Sequence, residues 1–184
     1  MGYGGRDMDE LALNVLDIAY NSIKAQATHI SIAIIDSFQQ NIIDIVIEDD
    51  GTGMDQDEVK KVTNPFYTTR TTRQVGLGIP LFKQSAEMTG GFLKINSVKG
   101  KGTCLHAQFI KNHIDTPIMG NIIETMTTLI QANDNIDYIF HYHSDDVDFI
   151  MNTQEMKEIL GEVKITEPEV ILWLKDYMKE GLSQ

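Results

Sequence analysis

The residues best suited to chemistry fall in four short segments of the 184-residue chain. In the first segment, Asp17, Asn21 and Lys24 are spaced so that a helix would present them on one face. An amide oxygen can bind Mg²⁺, a carboxylate can polarise a water molecule, and an ammonium group can contact a phosphate. The row therefore suits a metal and an anion, although an ordinary solvent-exposed helix face has the same pattern.

The second and fourth segments combine glycines with polar residues. The second begins with Asp49 at a predicted strand end and continues through Gly51 and Gly53 to Met54. A carboxylate there can accept a hydrogen bond from an exocyclic amine, and the glycines allow the backbone to approach a planar ring. The fourth segment, residues 100–103, reads Gly-Lys-Gly-Thr. Taken singly, each of the two is also compatible with an ordinary turn.

The third segment places basic residues and hydroxyls ahead of two glycines. Arg70 and Arg73 lie among threonines and precede Gly76-Leu77-Gly78, which opens a predicted helix. Backbone amides and the dipole at a helix N-terminus attract anions. A solvated loop is the alternative interpretation. The sequence contains neither a P-loop nor a complete dinucleotide fingerprint, so phosphate binding would need a different architecture.

These segments are carried by a regular order of predicted elements. Apolar periodicity and β-branched runs predict a helix at 9–26, strands at 28–35 and 42–47, a helix at 56–62, a helix between Gly78 and Gly90, and strands at 92–98 and 103–110. Helices grouped on one side of antiparallel strand pairs give an α+β fold, a two-layer α/β sandwich. The strand–helix–strand alternation of a doubly wound sheet is not seen in the pattern.

The residues after His113 have a different character. They predict a helix at 118–131, a strand hairpin at 136–142 and 147–151, and two further helices. Asn152 with Glu155, and Thr166 with Glu169, are candidate capping boxes for those helices. We therefore expect three parts: a start at 1–7 resembling an expression remnant, a domain at 8–114 and a small C-terminal α+β extension at 115–184.

Composition narrows the classes of partner. The formal net charge of −12 disfavours nucleic acid and anionic lipid as partners. No apolar run approaches the roughly 20 residues that span a bilayer, so we expect no membrane span. The single cysteine, Cys104, suits a reducing cytoplasm and is expected to be a buried small side chain rather than a reactive thiol.

The order and spacing of the four segments resemble the motif boxes of the GHKL ATPases, the superfamily of gyrase B, Hsp90, histidine kinases and MutL. Asn21 resembles the N box, Asp49-x-Gly51-x-Gly53 and Gly76-Leu77-Gly78 resemble the first two glycine boxes, and Gly100-x-Gly102-Thr103 resembles the third. The resemblance covers residues 9–111. It is strongest to the histidine kinase branch, and within it to small stand-alone bacterial ATP-binding proteins with a similar extension. It implies a Bergerat-type fold that binds ATP with Mg²⁺.

The resemblance also implies roles for individual residues. Asn21 would coordinate Mg²⁺, Asp49 would recognise the adenine amino group, and Thr103 would help to hold Asp49 and an ordered water. Lys24, with the two lid arginines, would contact phosphate. The complete predicted ATP-binding set is Asn21, Lys24, Asp49, Gly51, Gly53, Met54, Arg70, Arg73, Gly76, Leu77, Gly78, Gly102 and Thr103.

One position departs from the family pattern. Many members carry a Glu four residues before the metal-binding Asn, whereas this chain has Asp17, whose side chain is one methylene shorter. An Asp can act as a base, but its reach toward an attacking water is in question. Glu10 and Asn14 form a second candidate pair upstream. We prefer Asp17 as the catalytic residue, because the sequence after Asn21 fits the box better.

Histidine chemistry is a separate question. No dimerisation helix with a phosphoacceptor histidine fits ahead of Asp9. His141 and His143 share one face of a predicted strand, with Asp145 and Asp146 nearby. A metal site is one interpretation of this group, and ordinary strand alternation is the more common one.

Three functions remain open from the sequence. The leading one is a regulatory ATPase, in which MgATP and ADP change a contact with an unidentified protein partner. The second is a protein kinase that transfers phosphate in trans, and the third is a nucleotide sensor without hydrolysis. Turnover is expected to be slow if it occurs. The sequence does not fix the oligomeric state, and a homodimer is among the states it allows.

Overall fold

The computed structural model describes residues 10–64 and 78–183, which form helices and strands in an order close to the expected one. The helices are α1 (Leu11–Lys24), α2 (Gln56–Val62), α3 (Gly78–Met88), α4 (Ile122–Ala132), α5 (Thr153–Leu160) and α6 (Pro168–Gly181). The strands are β1 (His29–Ser37), β2 (Ile42–Asp49), β3 (Phe92–Val98), β4 (Gly102–Ile110), β5 (Asp137–Ser144) and β6 (Asp148–Asn152). The expected start at 1–7 lies outside the described residues.

The strands form a single six-stranded sheet in the order β3-β4-β2-β1-β5-β6. All neighbouring strands are antiparallel except β1 and β5, which run parallel. The predicted α+β, two-layer class is confirmed. The C-terminal hairpin does not build a layer of its own, because β5 and β6 extend the sheet that β1 to β4 begin.

One face of the sheet carries the core. Alternate residues of the strands, such as Ile32, Ile45 and Phe140, are fully buried on that face. Helix α1 packs there through Leu11 and Val15, and it contacts both α3 and α4. The intervening strand residues are partly or fully exposed, and we call their side of the sheet the open face.

The backbone at the start of α1 explains why α4 begins later than predicted. Leu11 and Ala12 donate their N–H groups to the carbonyl oxygens of Ile118 and Met119, at 2.9 and 2.8 Å. The first amides of a helix lack partners within the helix, so residues 118–119 satisfy them instead of continuing α4. Helix α4 is then capped by Asn121, whose side chain accepts from the amide of Glu124.

The two predicted capping boxes have different outcomes. Asn152 caps α5 by accepting from the amide of Gln154, and its side-chain amide donates to Glu155 at 3.0 Å. The box predicted at Thr166 is wrong, because α6 begins at Pro168 and its N-cap residue makes no side-chain capping bond. Proline at the first helical position needs no amide partner there, and the helix starts one residue later than a Thr166 N-cap implies.

Cys104 lies on the open face and is partly exposed rather than buried as expected. Partial burial, followed by the hydrogen bond and negative charge of Glu48, raises the pKa of the thiol to about 11. The thiol therefore stays protonated at neutral pH.

None of the helices within residues 10–64 and 78–183 combines the length and apolar character needed to cross a bilayer.

Candidate functional site

A cavity of about 250 Å³ opens on the helix side of the sheet, between α1, the end of β2 and the strands β3 and β4. Its walls are mostly apolar, with a few polar groups that converge on one side. Its lining comprises Ile18, Asn21, Ser22, Ala25, Ile47, Asp49, Thr52, Gly53, Met54, Val62, Ile79, Ile95, Thr103 and Leu105. A concave apolar site with few polar groups is the usual form of a small-molecule site.

Asp49 is the acidic residue of the cavity wall, and its carboxylate is held from two sides. Ser22 Oγ donates to Oδ2 at 2.6 Å, and the amide of Gly51 donates to Oδ1 at 2.9 Å. An ionised carboxylate has about four acceptor positions, so both oxygens retain lone pairs. The carboxylate is therefore fixed in orientation and able to accept a hydrogen bond from a planar ligand in the cavity.

Two glycines permit the backbone approach that shapes this corner. Gly53 has φ of +61°, and a Cβ there would lie 2.1 Å from the carbonyl oxygen of Val98. Gly102 has φ of +104°, and a Cβ there would lie 1.8 Å from the carbonyl oxygen of Asp49. Any other residue at either position would combine a left-handed backbone with a backbone clash.

Ser97 connects the segments of the cavity floor. Its hydroxyl accepts from the amide of Met54 at 2.8 Å and donates to the carbonyl oxygen of Gly102 at 2.9 Å. It also lies 2.8 Å from Thr103 Oγ1. Thr103 in turn pairs with Asp49 in the register of β2 and β4. The second and fourth sequence segments thus meet through one buried hydroxyl.

Helix α1 brings only part of its predicted polar row to the cavity. Asn21, Asp17 and Lys24 are all exposed, and of these three Asn21 alone is among the lining residues of the cavity. Gly78, at the start of α3, faces Asp17, since a Cβ on this glycine would lie 3.6 Å from Asp17 Cβ. The alternative pair lies elsewhere: the Asn14 side chain donates to the backbone of Glu10 at 3.2 Å.

Some of the remaining predicted site residues lie at or next to the cavity, and others lie outside the described residues. Met54 and Gly53 line the cavity, and the buried Gly51 donates its amide to Asp49. Four predicted residues lie outside the described residues: Arg70, Arg73, Gly76 and Leu77.

Sequence reasoning missed the two serines that organise the site. Ser22 follows Asn21 directly and lies at helical spacing with the apolar residues of α1. That position was a signal in the sequence, because a hydroxyl buried on an apolar face needs a hydrogen-bond partner. Ser97 offers no local signal, because a lone serine in a strand is common. Only the β3–β4 register, which pairs Ser97 with Thr103, identifies it.

A second carboxylate, Asp50, fixes the loop that follows β2. The backbone amides of Thr28 and His29 donate to it at 2.7 and 2.9 Å, and Thr28 Oγ1 donates at 2.5 Å. Partial burial raises the pKa of this carboxyl, but the hydrogen bonds from Thr28 and His29 outweigh it and hold the pKa well below its usual range. Asp50 therefore remains ionised and anchors the loop to the start of β1.

The cavity has the form of a small-molecule site. Comparison with known proteins gives the family of the chain. The family described as "Histidine kinase-, DNA gyrase B-, and HSP90-like ATPase" matches residues 6–113. The chain belongs to this family. The predicted relationship to the GHKL superfamily is thereby confirmed.

Individual relatives are larger proteins. A putative sensor protein of Shewanella frigidimarina is 32% identical over 105 residues, which cover 56% of this chain and 16% of that protein. Sporulation kinase E of Bacillus subtilis is 36% identical over 72 residues, which cover 39% of this chain and 10% of the kinase. The chain thus spans less than a fifth of the length of these two relatives.

Similarity to a solved structure extends beyond the family match. The N-terminal domain of a DNA repair protein superimposes with a TM-score of 0.51 at 15% identity, covering 78% of this chain and 51% of that one. At this identity the likeness shows the fold alone.

Proposed function

We propose that the chain binds ATP with Mg²⁺ in the cavity beside Asp49 and acts as a nucleotide-dependent regulatory ATPase on a protein partner. The observation that carries this proposal is the doubly held carboxylate of Asp49 at the wall of an apolar cavity. An adenine ring would fill the apolar part, and its amino group would donate to Asp49. The proposal rests equally on the family to which the chain belongs.

The polar row of α1 supplies the rest of the proposed site. Asn21, at the cavity wall, would ligate Mg²⁺ through its amide oxygen, and Lys24 would contact a phosphate. Asp17 lies one turn before Asn21 and beside Gly78, at the start of α3. A phosphate over this helix start would be within reach of a water activated by Asp17.

Further phosphate contacts from residues 65–77 remain a prediction. Arg70 and Arg73 are the proposed anion ligands there, and Gly76 and Leu77 the proposed backbone contacts. These four residues contact the phosphates in the proposed site. The adenine ring is surrounded there by Gly51, Gly53, Met54, Gly102 and Thr103.

A series of contacts between charged and polar side chains supports a regulatory role for the extension. Lys157 of α5 donates to Asp137 Oδ1 at 2.7 Å, and the other oxygen of Asp137 lies 3.7 Å from His29 Nε2. His29 Nδ1 lies 3.0 Å from Asp50, which directly follows Asp49. A change at the nucleotide would thus have a short path of polar contacts to β5 and α5.

Turnover with γ-labelled ATP and Mg²⁺ tests whether the chain is an ATPase. We expect release of labelled phosphate by the wild-type chain and a loss of about a hundredfold or more in Asp17→Asn, because a general base contributes at least that factor. ATP binding should persist in the variant. An Asp17→Asn variant that hydrolyses ATP at the wild-type rate would reject Asp17 as the base.

Hydrogen exchange tests the regulatory part of the proposal. MgATP and MgADP should protect peptides from residues 65–77 and from β5 and α5 to different degrees. Asp137→Asn should abolish the difference at α5 while leaving ATP binding in place. Equal exchange with both nucleotides in both regions would contradict a switch.

Protein phosphorylation in trans is a second candidate, favoured by a relative that is named a kinase. The same labelled ATP separates the two functions by the destination of the label. Label on a co-purified protein would support a kinase, and label in free phosphate alone would support a regulatory ATPase. Tight binding without any turnover would instead support a nucleotide sensor.

A further inference from the structure

The hairpin of β5 and β6 brings two histidines and an aspartate together on the open face of the sheet. His141 and His143 are two residues apart on β5, so their side chains point to the same side. Asp148 is the cross-strand partner of His143 in the β5–β6 register. We call these three residues the His–His–Asp cluster.

The donor atoms of the cluster converge on one point. His141 Nε2 lies 2.6 Å and His143 Nδ1 lies 3.4 Å from the same oxygen of Asp148, Oδ1. All three donor atoms lie within 4.8 Å of one another. Ligands of a tetrahedral ion with bonds of about 2.0–2.2 Å lie about 3.3–3.6 Å apart, so small side-chain rotations would bring the three atoms to bonding distance.

The backbone around the cluster is anchored at the hairpin turn. Asp145 in that turn accepts from Ser37 Oγ at 2.5 Å and from the amides of Phe38 and Gln39 at 2.7 and 3.2 Å. The sequence placed Asp145 and Asp146 near the two histidines. Asp145 does not join the cluster, because it ties the hairpin to the β1–β2 turn. The aspartate that meets the histidines is Asp148.

The neighbouring strand β1 offers the two histidines no polar side chain at the positions paired with them. In the β1–β5 register, His141 pairs with Ala33 and His143 pairs with Ile35. Both neighbours are apolar, so the imidazoles have Asp148 as their polar partner on that hairpin. The cluster is also accessible, since the side chains of His141, His143 and Asp148 are 40%, 50% and 63% exposed.

We infer that the His–His–Asp cluster binds a divalent transition-metal ion of the Zn²⁺ class. Two imidazoles and one carboxylate are a ligand set that suits zinc and cobalt and does not suit Mg²⁺ or Ca²⁺, which take oxygen ligands. Three protein ligands leave a coordination position for water or for a side chain of another molecule. The cluster lies on the opposite face of the sheet from the cavity, so its three ligands are distinct from the residues proposed to bind ATP.

Titration of the full chain with Zn²⁺ or Co²⁺, without nucleotide and under reducing conditions, tests this inference. Calorimetry should show one saturable site, and Co²⁺ should give the visible absorption of a low-symmetry protein complex. His141→Asn, His143→Asn and Asp148→Asn should each weaken the affinity at least tenfold, because each removes one of three ligands. All three side chains are exposed, and an unchanged metal-free melting temperature would show that the fold is retained.

Two variants serve as matched controls. Asp146→Asn removes the same charge from the same hairpin, and His106→Asn removes a histidine that faces Asp44 at 2.7 Å elsewhere on the open face. Both should bind the metal as the wild type does. The inference is overturned if no saturable binding is found up to about millimolar metal, if the three cluster variants bind as tightly as the wild type, or if the controls lose affinity equally.

Discussion

At the scale of single residues, the site depends on how Asp49 is held. Its two oxygens accept from Ser22 Oγ and from the amide of Gly51, and both donor residues are buried. A carboxylate oriented before the ligand arrives loses little conformational freedom on binding. If ATP binds as proposed, Ser22 would act by positioning Asp49 from the buried part of the cavity wall.

Ser22→Ala should weaken ATP binding about three- to tenfold. The variant removes one hydrogen bond to Asp49, and a net hydrogen bond contributes about 0.5–1.5 kcal/mol. Calorimetric titration with MgATP measures the change. Ser31→Ala, on the open face of β1, is the matched control and should bind normally. An affinity equal to wild type in Ser22→Ala would show that Asp49 needs no such support.

Cys104 gives a pH-dependent prediction at the same scale. Its pKa is raised from 9.0 to about 11, so the thiolate fraction at neutral pH falls about a hundredfold. The rate of reaction with a disulfide reagent should therefore rise in proportion to hydroxide throughout pH 7–9.5 in the folded chain. In denaturant the same rate should begin to level off near pH 9. Levelling at the same pH in the folded chain would contradict the raised pKa.

At the scale of elements, the sequence predicted most helices and strands because their apolar periodicity is local. It identified the glycine segments by their common order and spacing, because each segment alone is also compatible with an ordinary turn. It did not predict Ser97, whose hydroxyl meets Met54 and Gly102 only after β3 and β4 pair. It misplaced the start of α4, because the groups that compete for residues 118–119 lie over 100 residues away, at the start of α1.

Gly53→Ala and Gly100→Ala separate backbone strain from backbone clash. Both glycines have positive φ, but a Cβ at Gly100 would meet nothing within 4 Å, whereas one at Gly53 would lie 2.1 Å from Val98 O. We expect Gly100→Ala to lower the free energy of unfolding by about 1–2 kcal/mol from the left-handed backbone alone. Gly53→Ala should lower the free energy of unfolding by clearly more than Gly100→Ala does, and it should also weaken ATP binding.

Urea unfolding of the two glycine variants measures the difference. Equal losses of stability would mean that the loop after β2 can move away from β3 without cost. That result would contradict a cavity wall fixed by the contact of Gly53 with Val98.

At the scale of the whole molecule, the extension completes the sheet and the core. Strand β5 pairs in parallel along the length of β1, which makes β1 an interior strand. Helix α4 packs on α1, and Met126 and Leu129 of α4 are fully buried. The sequence could not predict this pairing, because an alternating strand has the same pattern in a separate layer as in a shared sheet.

Removal of residues 115–184 should therefore destabilise the remainder severely. Truncation would expose the β1 edge and the core surface beneath α4, and it would remove the acceptors at the start of α1. We expect a chain of residues 1–114 to lack a cooperative thermal transition. A truncated chain that unfolds cooperatively and binds MgATP with wild-type affinity would show that the extension is an appended unit.

The central claim, that MgATP binds beside Asp49, is tested most directly by calorimetric titration of Asp49→Asn and Asp44→Asn with MgATP. Both variants remove one carboxylate from β2, but Asp44 lies on the open face beside His106. A hydrogen bond to a charged group contributes about 1.5–3 kcal/mol, so Asp49→Asn should weaken binding at least tenfold. Asp44→Asn should bind as the wild type does. Equal affinities in the wild type and Asp49→Asn would contradict the assignment of this cavity as the ATP site.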